Sequence, residues 1–101
     1  MKYKTHYTIR TRSSCTHHQT GQTAEAHDYW TGAGWSPLSL EAVNLTRSRV
    51  WSVLGKATAS LMAGEVLGPD IEVLKHSYHP DVVMLPDEDY TVIYRGTYAV
   101  D

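Results

Sequence analysis

A single cysteine, Cys15, is the only thiol in 101 residues, so no intramolecular disulfide can staple the fold. Long apolar runs are also missing. The longest aliphatic stretch, Val82-Val83-Met84-Leu85, falls far short of the roughly 20 residues that a membrane-crossing helix requires. The opening Met1-Lys2-Tyr3-Lys4-Thr5-His6 has no apolar core of the kind that routes a chain for secretion. Together these absences predict a reducing, cytoplasmic setting and no membrane partner. Phenylalanine is absent too. The aromatics are seven tyrosines and three tryptophans, which join apolar area to a polar handle and concentrate at binding hot spots.

What is present suits one small domain over residues 1–101, with 42% apolar and 20% charged residues and room for one modest core. The net charge of −2 conceals a polarity. Residues 1–56 carry seven Lys or Arg against three Asp or Glu, whereas residues 57–101 carry two against eight. Such a division either steers a charged partner to one face or sets two charge groups against each other across one sheet.

Period-two alternation over residues 3–12 predicts a half-buried strand, with Tyr3, Thr5, Tyr7 and Ile9 on one face and Lys4, His6, Thr8, Arg10 and Arg12 on the other. The polar stretch Ser13 to Gly21 predicts a loop, and Gln22 to Trp30 a second, antiparallel strand. Thr31-Gly32-Ala33-Gly34 breaks it. Leu38-Ser39-Leu40-Glu41-Ala42-Val43 then marks a helix start, with Ser39 as N-cap, Glu41 in the first turn and Leu38 packing on Val43 as a staple. The stripe Leu40, Val43, Val50, Leu54, Ala57 and Leu61 carries the helix to Ala63, with Leu54 buried and Trp51 beside it. Gly55 either kinks that helix or ends a shorter one. Further strands are predicted over Ile71–Tyr78, over a short Val82–Leu85 and over Tyr90–Arg95, which places Tyr90, Val92 and Tyr94 on one face and a bulge at Gly96. The expected fold is α+β: an antiparallel four- to five-stranded sheet in the order β-β-α-β-β, one face covered by one long helix and the other left to solvent or a partner.

Specific chemistry is hard to find. Cys15, His17 and His18, and the His76-x-x-His79 pair, lack the second spaced pair that signals a zinc site, so no metal or cofactor is expected. A thiol nucleophile at Cys15 has only sequence proximity to His17 and His18. Leu54-Gly55-Lys56-Ala57 lacks the leading glycine and the terminal Ser or Thr of a phosphate loop. Asp87, Glu88 and Asp89 lack the spacing of a calcium loop and read as a solvated turn.

Binding surfaces have the better case. Lys4, Arg10 and Arg12 form a basic strand face, Trp30 and Trp35 flank the glycine-rich connector, and Asp87, Glu88 and Asp89 form an acidic turn; these are the expected partner-binding residues. A small acidic domain with one sheet, a Ser39-Leu40-Glu41-Ala42 helix start and no enzymatic motif resembles phage-encoded accessory proteins, including the anti-CRISPR inhibitors that block bacterial defence complexes. The resemblance covers architecture and composition and gives no residue a role. It implies a non-enzymatic inhibitor acting in the host cytoplasm on a host protein or ribonucleoprotein complex. Two other readings stand beside it: a nucleic-acid-binding regulator that uses the basic strand face, and a small Cys/His-dependent enzyme. Oligomeric state is not legible from these residues.

Overall fold

The strand expected over residues 3–12 runs on to Thr16 as the 13-residue β1 (Lys4–Thr16), rather than stopping at the polar stretch after Arg12. The computed structural model describes residues 3–16, 18–63, 70–86 and 88–97. Cys15, expected in a loop, is therefore a strand residue opposite Ala24 of β2 (Thr23–Trp30). His17 lies outside the described residues. Gly21, at φ 71°, supplies the left-handed turn that returns the chain into β2.

β1 is the centre of the sheet. Its second half pairs with β2, and its first half pairs antiparallel with β4 (Asp70–Tyr78). β3 (Trp35–Ser36) extends the sheet beyond β2, and β5 (Thr91–Thr97) closes it beyond β4, giving the order β3-β2-β1-β4-β5. The fold is the expected α+β arrangement, one antiparallel sheet with one helix packed on it. The fifth strand is β3, not Val82–Leu85. That apolar run forms no strand and leaves Val82, Val83 and Leu85 exposed.

The helix starts later than the Leu38–Val43 pattern predicts. Ser39–Glu41 forms one 3-10 turn without a side-chain cap bond, and Ala42 returns to extended backbone. The amide of Val43 then donates to the Trp30 carbonyl at 2.9 Å, while Leu45 exchanges two 2.8 Å bonds with Tyr7. These amides are committed to the sheet, so they cannot enter a helical ladder, and local propensity yields to tertiary pairing. The Thr46 carbonyl accepts the first helical bonds, from Arg49 and Val50, and α1 runs over Arg47–Ala63. At 1.5 Å per residue it is about 26 Å long, not the 36 Å of a helix starting at Leu40. Gly55 does not end it.

Val50 and Ala57 are buried against Tyr7, Ile9, Ile71 and Val73, with Val53 and Leu54 packed at the margin. Leu54 is thus partly rather than fully buried. Trp51, expected beside it in the core, is 46% exposed. Both follow from the later start: Leu40 and Val43 lie outside α1, and Val50 leads the buried face.

Between Val73 and Leu74 the register with β5 slips. Val73 pairs with Tyr94 and Leu74 with Val92, so Ile93 is the extra residue of a bulge. Val92 therefore shares Leu74's face, and Tyr94 turns to the helix side, separating two residues that simple alternation places together. Gly96, the expected bulge site, instead lies under the Tyr94 ring, where an added Cβ would come within 2.8 Å of Oη.

Candidate functional site

The sheet face away from α1 is not a free cationic stripe. Strand register sets His6 opposite His76, Arg10 opposite Glu72 and Arg12 opposite Asp70, so the basic first strand meets the acidic fourth directly. Arg10 Nε donates to Glu72 Oε1 at 2.9 Å, and Arg95 closes on the other oxygen at 2.8 and 2.6 Å. Burial alone would raise the Glu72 pKa, but the hydrogen bonds from Arg95 and Arg10 outweigh it and hold the carboxyl below its ordinary value. Arg10 also lies 4.5 Å over the Tyr90 ring and donates to its hydroxyl at 3.2 Å.

His76 continues this network. Its Nδ1 faces the Asp89 carbonyl at 2.9 Å and its Nε2 the Thr8 hydroxyl at 2.8 Å. A carbonyl can only accept, so Nδ1 carries the proton and Nε2 accepts from Thr8. Burial pushes the His76 pKa down, and burial followed by the charge of His76 does the same to His6, which stacks on it at 4.7 Å. The arrangement engages both imidazole nitrogens of His76 and both oxygens of Glu72 within the fold. Its evident work is to tie the segment ending at Asp89 and Tyr90 across the sheet.

The helix side differs. α1 covers β1 and leaves the β4–β5 margin open, so Tyr7, Arg47, Trp51, Lys75 and Ile93 line a groove of about 270 Å³. Trp51, which lines it, meets Tyr94 edge to face at 5.8 Å. Arg10, Arg12 and Arg95 each hold a carboxylate, whereas Arg47 and Lys75 have no ion pair among the described residues. A wider depression of about 510 Å³ continues from the shared Lys75 and Ile93 to Glu88 and Asp89.

The sequence-predicted residues do not converge. Lys4 is exposed at the start of β1, Arg10 is buried, and Arg12 is half-buried between Glu25 and Asp70. Trp30 is 6% exposed in the core, and Trp35 packs on it edge to face at 5.2 Å with its Nε1 buried and unpartnered among the described residues. Buried side chains cannot meet a partner, which removes Arg10 and Trp30 from the expected surface. Glu88 and Asp89 are exposed, with Asp89 Oδ2 accepting from the Leu85 amide at 2.8 Å; Asp87 lies outside the described residues. Among the described residues no three His, Cys, Asp or Glu side chains could hold a metal, and no helix is long and apolar enough to cross a membrane.

The groove residues Arg47, Trp51, Lys75 and Ile93 escaped the sequence reading. One signal for them exists: Arg47 and Trp51 stand four apart, the spacing that puts two side chains on one helix face. A second is that α1 has basic residues and no acidic ones in its first turn, against the preference of the helix dipole. No known family model, curated protein or solved structure matches the chain.

Proposed function

We propose that this protein acts by binding another macromolecule without turnover, through the helix-side groove rather than the β1 face. The observation that carries this is the contrast between its arginines and its groove cations: Arg10, Arg12 and Arg95 are each bound to a carboxylate within the fold, while Arg47 and Lys75 have no ion pair among the described residues and line a groove with the exposed ring of Trp51. Uncompensated cations beside aromatic area supply both parts of a recognition site, steering from the charge and residence from the ring. The partner class that the resemblance to phage accessory proteins brings is a host protein or ribonucleoprotein complex, and the mode is stoichiometric inhibition.

The test compares capture from bacterial lysate by the wild-type chain and by Trp51→Ala, with Lys4→Glu as a control away from the groove. The reading expects a saturable complex that Trp51→Ala weakens and Lys4→Glu does not. A purified sample that turns over a small molecule at catalytic rates, with the activity lost in His6→Ala, would sink it.

A further inference from the structure

The sheet ends on β5, which has no strand on its outer side among the described residues. Free edges are normally guarded by proline, inward charges or a covering element, because their backbone groups template further pairing. β5, Thr91-Val92-Ile93-Tyr94-Arg95-Gly96-Thr97, contains no proline, and its single charge, Arg95, is bound to Glu72. The bulge at Ile93 is its one protective irregularity. Among the described residues this edge carries Ile93 and Tyr94 at 41% and 37% exposure, and it adjoins the Trp51 groove, where Arg47 and Lys75 have no ion pair among those residues.

We propose that β5 receives an extended, acidic segment of a partner protein as a sixth strand, with an apolar side chain in the groove and a carboxylate at Arg47 and Lys75. This rests on the binding-protein reading above and adds to it the mode and the chemistry of the partner. Side chains on one face of a strand recur every second residue, about 6.6 Å apart, so the segment bears an acidic and an apolar residue two positions apart. A continuous polyanion fits less well. Its phosphates would run from Lys75 directly past Glu88 and Asp89, which line the same depression, whereas a peptide can place a carboxylate at one end only.

The experiment is a titration of the intact chain, followed by backbone and indole NMR signals, with four probes: a heptapeptide alternating Thr with Glu and Leu, its Lys-for-Glu counterpart, the Glu/Leu peptide N-methylated at alternate amides, and oligothymidine. The proposal expects the Glu/Leu peptide to shift the Thr91–Thr97 amides and the Trp51 indole. It further expects at least tenfold weaker binding for the Lys and N-methyl peptides, and a tenfold loss in Lys75→Glu or Arg47→Glu, both exposed positions whose replacement leaves the core intact. Equal binding by the N-methyl peptide overturns strand addition while leaving the groove as a binding site. Preference for oligothymidine, equal binding of the Lys peptide, absence of a saturable shift at millimolar peptide, or a β5-to-β5 dimer in sedimentation overturns the proposal. A partner complex that still forms without β5 shifts separates its failure from that of the binding-protein reading.

Discussion

Arg10 and Glu72 face each other across β1 and β4 with side chains 6% and 0% exposed, joined at 2.9 Å, and Arg95 holds the second carboxylate oxygen from β5. Two charges removed from water tolerate the loss of a partner poorly, because the survivor stays buried without compensation. Arg10→Ala should cost about 3–5 kcal/mol. Arg95, whose side chain is 49% exposed, should cost less on the same change because water can replace it. Urea denaturation of the two variants checks the order, and an Arg95→Ala loss as large as that of Arg10→Ala would show that the outer arginine governs the triad.

The same carboxylate gives an acid limit. Glu72 has a folded pKa below the 4.5 of an ordinary glutamate, so its contribution is fully present above 4.5 and is lost as pH falls through the lower folded value. Thermal unfolding of the wild-type chain should therefore steepen in its pH dependence below pH 4.5, and Glu72→Gln, weaker throughout, should lack that added slope. Parallel curves for the two proteins would remove Glu72 as the cause.

His76 acts in a separate window. Its folded pKa lies below 6.5, so the unfolded chain takes up a proton first as pH falls, and stability declines from 6.5 down to the folded value. His6, lowered by burial and by its neighbour, adds to the same slope. His76→Phe should flatten this region while costing about 1–3 kcal/mol at neutral pH, since it leaves the Thr8 hydroxyl and the Asp89 carbonyl unpaired. Melting temperatures from pH 7 to 5 decide it.

Much of this architecture is legible in the residues and some of it is not, for identifiable reasons. The alternation around Tyr7 and Ile9 finds the central strand because a half-buried strand imposes period two. The opposite charges of the two halves meet across β1 and β4, which is one of the two readings their distribution allows. The helix start fails because the Val43 and Leu45 amides bond to Trp30 and Tyr7, residues distant in sequence. Trp51 fails with it, since its exposure depends on where the helix begins and on how little of β5 that helix covers. Trp30 and Trp35 were expected on a surface because a glycine-rich connector suggests one, yet the connector folds so that the two rings pack together.

Gly55 offers a clean test of helix continuity. It lies exposed in the middle of α1, and an added Cβ meets nothing within 4 Å. Gly55→Ala should then stabilise the chain by about 1 kcal/mol, the difference in helix propensity. A loss of stability, measured by the urea midpoint, would mean that the helix needs flexibility at this point.

The charged and aromatic parts of the groove should separate kinetically once a partner complex is in hand. Arg47 and Lys75 act at long range, so reversing either should slow association, on the order of tenfold at low salt, with the difference shrinking as salt screens it. Trp51 acts only after contact. Trp51→Ala should leave association nearly unchanged and speed dissociation roughly thirtyfold, the equivalent of a hot-spot loss of about 2 kcal/mol. Glu88 stands at the acidic end of the adjoining depression, where it repels an acidic segment, so Glu88→Gln should modestly accelerate association. Surface plasmon resonance on the four variants reads all of these rates. If Glu88→Gln instead slowed association while Arg47→Glu left it untouched, the acidic turn would be the surface that meets the partner, and the groove would not.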